Sequence, residues 1–221
     1  MPISRQLPNR LTIGRVILAG VFFILLGLYE PGKDSGRFML NIAFLVYLAA
    51  GITDILDGYL ARKFDLTSAF GRIADPVTDK VLVIGALVMM SGSNFAMAEP
   101  LPHLSSFEAQ LAPWLTGKMV SAVQAWMIVV ILTREILVSA IRSYSESRGV
   151  VFKATAFGKV KMLFQSVAIC SVLLQLANAP MEKWAIIFKI ASVWLAVIVT
   201  ACTGLAYVGR TRRLLSADDK D

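Results

Sequence analysis

The chain has 221 residues, of which 57% are hydrophobic, and its mean hydropathy is +0.68, whereas an ordinary soluble domain is about 45–50% apolar. This composition excludes most soluble classes and predicts an all-α integral membrane protein with one domain, residues 1–213, and a tail, residues 214–221, that is expected to be disordered. The net charge of +7 suits anionic lipid headgroups and phosphorylated substrates, so no nucleic-acid partner is expected.

Six apolar segments approach the length of about 20 residues that a transmembrane helix needs. They are residues 11–28, 38–61, 73–91, 119–145, 158–178 and 184–207. With six spans, only Lys33, Arg37, Lys118, Lys183 and Lys189 of the 22 basic residues fall on the side opposite the termini. Because cytoplasmic loops retain Lys and Arg, the sequence predicts a multi-pass protein of the cell membrane with both termini in the cytoplasm.

The first predicted helix is entered through the polar segment Pro8-Asn9-Arg10-Leu11-Thr12. Its mixed basic and polar character suits a segment that lies at the cytoplasmic membrane interface. Short amphipathic entries of this kind usually act as anchors.

Four aspartates stand at the end of the second predicted helix and the beginning of the third. Asp54 and Asp57 are three residues apart, and Asp75 and Asp79 are four apart. Residues at these spacings lie on one face of a helix, with Cβ atoms roughly 5–6 Å apart. If the two faces oppose each other, they form a cage of four carboxylates.

Glycines and an arginine share these two faces. At about 100° per residue, Gly58 and Arg62 lie with the first aspartate pair on an arc of about 140°, and Gly71 lies with the second pair. Glycine permits close approach of a ligand or backbone, and the arginine fork suits phosphate oxygens. The combination favours a site for a phosphorylated ligand.

A divalent metal would resolve the repulsion among four converging carboxylates. Oxygen ligands without histidine or cysteine favour Mg²⁺, Mn²⁺ or Ca²⁺ over Zn²⁺. A pair of ions roughly 3.5–4 Å apart is a common arrangement in phosphoryl chemistry. The four carboxylates therefore favour a site for divalent metal, in which a pair of ions is the usual arrangement.

Two other interpretations of the aspartates are possible. They could form ordinary ion pairs with neighbouring basic residues, namely Arg62, Lys63, Arg72 and Lys80. They could also belong to a carboxylate-lined cation transporter, since transporters place acids within spans. Salt bridges would not require glycines on the same faces, and a transporter needs a route across the membrane, whereas these aspartates gather near one predicted end.

Written out, the pattern Asp54-x-x-Asp57-Gly58-x-x-Ala61-Arg62, eight residues, Gly71-x-x-x-Asp75-x-x-x-Asp79 resembles the complete signature of the CDP-alcohol phosphotransferases. These integral membrane enzymes join a CDP-activated group to an alcohol and release CMP. The resemblance implies six transmembrane helices, a homodimer and a dinuclear Mg²⁺ or Mn²⁺ site that opens to the cytoplasm. A metal-dependent prenyltransferase with aspartate-rich motifs is less similar, because it does not call for the glycines and arginine at these spacings.

The resemblance also implies roles for individual residues. Metal binding falls to Asp54, Asp57, Asp75 and Asp79, of which Asp79 would also be the catalytic base toward the incoming hydroxyl. Binding of CDP-diacylglycerol falls to Asn9, Thr12, Gly58, Arg62, Ser68 and Gly71. The expected reaction is direct in-line attack at the β-phosphorus of the liponucleotide, with inversion of configuration.

The acceptor alcohol is indicated by the second half of the chain. Residues 134–142 and Gly158-Lys159-Val160-Lys161 resemble the phosphatidylglycerophosphate synthase branch of the family. The basic residues there suit an acceptor that carries a phosphate, such as sn-glycerol 3-phosphate; they are Arg134, Arg142, Lys159 and Lys161. Phosphatidylinositol-phosphate synthase and cardiolipin synthase, which also use anionic acceptors, remain open.

Overall fold

The structure is a computed structural model that describes residues 7–64, 69–97, 106–147 and 156–218, and these ranges are helical apart from short connections. The helices are α1 (Leu7–Gly27), α2 (Asp34–Phe64), α3 (Ala69–Met90), α4 (Ser106–Gln110), α5 (Pro113–Thr116), α6 (Ala125–Ser147), α7 (Ala156–Asn178) and α8 (Lys183–Asp218). A short 3₁₀ helix, Ser93–Phe95, follows α3.

The long helices of the described chain pack side by side in a closed ring. Its order is α2, α1, α3, α6, α8 and α7, with α7 returning to α2, and α3 also contacts α7 across the ring. The centre is filled by fully buried apolar side chains, among them Phe22, Leu40, Met90, Ile169 and Leu173. Large apolar side chains also remain exposed on the outer surface, as expected for helices that face lipid.

Polar contacts fix the relative directions of neighbouring helices. Asn41, near the beginning of α2, accepts a hydrogen bond of 2.9 Å from the side-chain amide of Asn178, the last residue of α7. Arg15, early in α1, meets Asp54, late in α2. Helices α1 and α2 therefore run in opposite directions, as do α2 and α7.

Three helices of the described chain are long and apolar enough to cross a membrane: Asp34–Leu56, Val160–Asn178 and Lys183–Gly209. The apolar parts of α1 and α3, Thr12–Gly27 and Lys80–Met90, are shorter. The apolar run of α6 is interrupted by three charged residues, at 134, 135 and 142. An all-helical membrane protein is thus supported, whereas the six predicted spans are not all confirmed by length and composition.

Two helix boundaries differ by more than four residues from those that the sequence predicts. The predicted fourth span begins at residue 119, but α6 begins at Ala125, because Lys118 and Ala122 adopt the left-handed backbone conformation with φ of 59°, which interrupts a right-handed helix. At the other end of the chain, α8 continues to Asp218, into the segment predicted to be a disordered tail. Residues 211–218 include Arg, Leu and Ala, which are good helix formers.

The described parts of the connection between α3 and α6, residues 91–97 and 106–124, lie at the end of the ring where α3 ends and α6 begins. The backbone amide of Met97 donates to the carbonyl of Lys118, and that of Val120 to the carbonyl of Phe95, both at 2.8 Å. Beneath this segment, Lys189 of α8 is fully buried and its Nζ lies 2.7 Å from Oε1 of Glu108 and 2.6 Å from the Val120 carbonyl oxygen. This ion pair holds α4 against the ring.

Candidate functional site

A second group of charged side chains lies toward the opposite end of the ring, where α1 begins and α8 ends. Its charged side chains come from the first half of α1 and of α7, from the middle of α3 and of α6, and from the later part of α2. The side chains concerned are Arg15, Asp54, Lys80, Arg134, Glu135 and Lys161. The sequence places all four candidate metal ligands at this same end.

Asp54 is the one predicted metal ligand whose side chain belongs to the described part of the structure. Its Oδ1 lies 2.9 Å from Nη1 of Arg15, whose side chain is 1% exposed, while that of Asp54 is 36% exposed. Thr12, a predicted nucleotide contact one turn before Arg15, is also buried. Helix α1 therefore carries a predicted nucleotide contact, Thr12, and the buried cation Arg15 that pairs with Asp54 of α2.

The backbone around the other predicted donor-site residues is helical. Asp57, Gly58 and Arg62 lie in α2 with Asp54, and Gly71, Asp75 and Asp79 lie in α3. Their side chains, with that of Asn9 in α1, are outside the described part of the structure, and so is Ser68. The predicted four-carboxylate arrangement stays a prediction.

A metal centre at this end would depend on four carboxylates, of which Asp54 alone has a described side chain. Within the described residues, no group of three or more histidine, cysteine, aspartate or glutamate side chains is close enough to hold a metal. Asp54 offers a partly exposed carboxylate, the hard oxygen donor that Mg²⁺ and Mn²⁺ prefer. Oδ1 of this carboxylate contacts the guanidinium group of Arg15.

Two of the predicted acceptor-binding cations meet at one buried carboxylate. Nη1 of Arg134 lies 2.9 Å from Oε1 of Glu135, and Nζ of Lys161 contacts the same oxygen. The three side chains are 7–9% exposed. We call Arg134, Glu135 and Lys161 the buried triad. It joins α6 to α7 and has two positive charges and one negative charge.

A lysine from α3 reaches the same region. Nζ of Lys80 donates a hydrogen bond to Oγ of Ser139, which in turn donates to the backbone carbonyl of Glu135 at 2.7 Å. Lys80 is half-buried and lies close enough to Lys161 for the two charges to interact. Because Lys80 directly follows Asp79 in sequence, this contact connects the helix of the second aspartate pair to the triad.

Arg134 is enclosed on its other side by α8. A Cβ atom added at Gly204 would lie 2.8 Å from Cγ of Arg134, so only glycine leaves room for the arginine in this position. The guanidinium carbon of Arg134 also lies 5.9 Å from the centre of the Tyr207 ring, within the range of a cation–π contact. The position of Arg134 is thus determined by α6, α7 and α8 together.

The four residues predicted to bind the acceptor phosphate do not all lie together in the described structure. It brings Arg134 and Lys161 together, as just described. Arg142 is exposed on α6, and the side chain of Lys159 is outside the described residues. Sequence reasoning missed Arg15, Glu135 and Gly204 as members of this region. The sequence did offer a signal for Glu135, because it directly follows Arg134 in an apolar segment. Charged residues are costly in such a segment and often mark a functional site.

Comparison with known proteins adds three relatives and one family. The model of the CDP-alcohol phosphatidyltransferase family matches residues 5–202. A Bacillus subtilis protein named CDP-diacylglycerol–glycerol-3-phosphate 3-phosphatidyltransferase is 30% identical over 97% of this chain and 99% of its own length. A Haemophilus influenzae protein of the same name is 34% identical, with 92% and 91% covered. A probable phosphatidylglycerophosphate synthase of Mycobacterium tuberculosis is 33% identical, with 94% and 82% covered.

Proposed function

The chain belongs to the CDP-alcohol phosphatidyltransferase family, and on this premise we propose that it transfers the phosphatidyl group of CDP-diacylglycerol to sn-glycerol 3-phosphate. The products are phosphatidylglycerol phosphate and CMP, which makes the reaction a step of phospholipid biosynthesis. The observation that carries the choice of acceptor is the buried triad, which has an excess of positive charge beside the helix of the second aspartate pair. The names of the relatives agree with this choice.

On the donor side, Asp54, Asp57, Asp75 and Asp79 hold two Mg²⁺ or Mn²⁺ ions. When bound, such ions neutralise the diphosphate and stabilise charge on the departing CMP. The CDP group is held by Asn9, Thr12, Gly58, Arg62, Ser68 and Gly71. The Arg15–Asp54 contact supports this assignment, since it restrains the first carboxylate from the helix that also carries Asn9 and Thr12.

On the acceptor side, Arg134 and Lys161 bind the phosphate of glycerol 3-phosphate, and Arg142 and Lys159 are the further phosphate-binding residues of the proposal. Charge-assisted hydrogen bonds from guanidinium and ammonium groups are strong and suit phosphate oxygens. Asp79 accepts the proton of the acceptor hydroxyl as its oxygen attacks the β-phosphorus. The bond from that phosphorus to the CMP oxygen breaks, and CMP leaves with the electron pair.

The molecule crosses the cell membrane six times and forms a homodimer, with both termini and the site on the cytoplasmic side. Helices α1, α3, α6 and α7 contain 21 to 23 residues, which at about 1.5 Å per residue matches a hydrocarbon core of about 30 Å. The six long helices alternate in direction along the chain, which supports the crossings. Arg15, Arg134 and Glu135 are buried between the helices, so their charges do not face the lipid.

The test is CMP release by the purified protein. CDP-diacylglycerol and Mg²⁺ or Mn²⁺ are supplied with one of four acceptors: glycerol 3-phosphate, inositol phosphate, serine or phosphatidylglycerol. The proposal predicts rapid release with glycerol 3-phosphate and little with the others. Release with inositol phosphate or phosphatidylglycerol alone would place the chain in another branch of the family.

A further inference from the structure

We infer that Glu135 is a positioning residue of the acceptor site, and that with Gly204 it holds Arg134 and Lys161 where they bind the acceptor phosphate. This inference rests on the proposed function. It assigns to the carboxylate a task that neither the metal ligands nor the cations perform.

Arg134 and Lys161 share one carboxylate oxygen of Glu135. Adjacent residues on a helix point about 100° apart and do not normally face each other, yet Arg134 reaches back to Glu135 at 2.9 Å. Lys161 arrives at the same oxygen from another helix. Two neighbouring cations would otherwise repel each other, so the carboxylate is what allows both to remain close together.

With Glu135 in place, the cations can still bind a further anion. The triad keeps one excess positive charge, and Lys80 adds another close by. Nε of Arg134 is buried and has no hydrogen-bond acceptor among the described residues, although buried polar groups normally have a partner. An incoming phosphate can supply both the missing acceptor and the missing negative charge.

Helix α8 also restrains the side chain of Arg134. The missing side chain at Gly204 leaves the space that Arg134 occupies, and the Tyr207 ring lies against the guanidinium group. Arg134 is consequently held by a carboxylate on one side and by a fitted surface on the other. Preorganised cations bind an anion with less loss of conformational entropy.

The main test is Glu135→Gln, which keeps the shape and removes the charge. We expect KM for glycerol 3-phosphate to rise at least tenfold, while KM for CDP-diacylglycerol and kcat at saturating acceptor change less than twofold. If Glu135 merely occupies the phosphate position, KM for the acceptor will fall instead. A fall, or no change, overturns the inference.

The matched control is Glu108→Gln. Glu108 is the carboxylate of the other buried ion pair, 2.7 Å from Lys189 at the opposite end of the ring. This variant should lower the thermal unfolding midpoint without changing either KM. If it raises the acceptor KM as much as Glu135→Gln does, the effect is a general loss of stability and the inference fails.

A second variant decides the question if Glu135→Gln does not fold. Gly204→Ala displaces Arg134 without changing any charge, and we expect at least a fivefold rise in KM for glycerol 3-phosphate alone. Its control is Gly209→Ala on the same helix, where an added Cβ meets no heavy atom of the described chain within 4 Å. Equal acceptor KM in the two alanine variants contradicts the inference.

The failure of the proposed function is recognised separately, in the unmodified protein. If that protein releases CMP with a different anionic acceptor, the choice of glycerol 3-phosphate is wrong, and the same comparison of KM with the acceptor actually used still decides the role of Glu135. If it releases CMP with none of the tested acceptors, both proposals are overturned.

Discussion

At the scale of single residues, Arg15 determines the environment of the first aspartate. Its side chain is buried while that of Asp54 is partly exposed, so removing the arginine leaves the carboxylate without its cation. Breaking a buried pair costs about 3–5 kcal/mol, and solvent at Asp54 reduces this because exposed pairs contribute little. We expect Arg15→Met to lower the free energy of unfolding by about 1–3 kcal/mol, measured from thermal unfolding in detergent.

The control for Arg15→Met is Lys33→Met. Lys33 pairs with Glu30 outside the ring, and both side chains are more than half exposed, so this variant should change stability by less than about 0.5 kcal/mol. Equal unfolding midpoints for the two methionine variants would show that the Arg15–Asp54 pair does not stabilise the protein.

Asp79 is the one carboxylate proposed to move a proton. Asp79→Asn removes the basic group but keeps an oxygen that can bind metal, so we expect at least a thousandfold loss of CMP release with much of the CDP-diacylglycerol binding retained. Binding is measured by equilibrium dialysis of the radiolabelled liponucleotide. Substantial turnover by the asparagine variant would transfer the role of base to another group.

The sequence predicted these residues to different degrees. The helical spacing of the four aspartates indicated their shared faces, because periodicity along one helix is a local property. The Arg15–Asp54 and Glu135–Lys161 contacts each join two helices. The periodicity of one helix does not specify how that helix is rotated or shifted along its axis relative to its neighbour. Contacts of this kind follow from packing of the whole ring and could not be predicted.

At the scale of elements, α2 and α3 are helical throughout the aspartate pairs, as the spacing predicts. Pro76 is the eighth residue of α3, beyond the first turn in which proline is tolerated, so its missing amide removes one i→i−4 hydrogen bond of the helix. The later start of α6 was missed because residues 119–124 are apolar enough to continue a span, and the left-handed conformations of Lys118 and Ala122 have no glycine to mark them.

A prediction at this scale concerns the metal that we propose to bind between α2 and α3. Treatment with EDTA should abolish CMP release, and excess Mg²⁺ or Mn²⁺ should restore it, because the repelling carboxylates lose their shared cations. EDTA already saturated with Mg²⁺ serves as the control. Full activity in metal-free buffer would exclude the dinuclear centre.

At the scale of the whole molecule, the charged groups are divided between two ends of the ring. One end has the Arg15–Asp54 pair and the buried triad, and the other has the Glu108–Lys189 pair. The distribution of basic residues predicted which helix ends share a side, but the order of helices around the ring depends on long-range contacts and was not predictable. The homodimer stays a prediction.

Orientation in the membrane can be measured directly. In a background with Cys170→Ser and Cys202→Ser, Ser93→Cys should react with a membrane-impermeant maleimide in intact cells, because it lies at the end of the ring away from the termini. A cysteine added after Asp221 should react only in inside-out vesicles. The opposite pattern would place the site outside the cell.

The central claim is tested most directly by identifying the lipid product. Purified protein is incubated with CDP-diacylglycerol, glycerol 3-phosphate and Mg²⁺ or Mn²⁺, and the lipids are analysed by mass spectrometry alongside the released CMP. The account predicts phosphatidylglycerol phosphate and CMP in equal amounts. CMP release with phosphatidic acid as the lipid product, or no lipid product containing glycerol 3-phosphate, would contradict it.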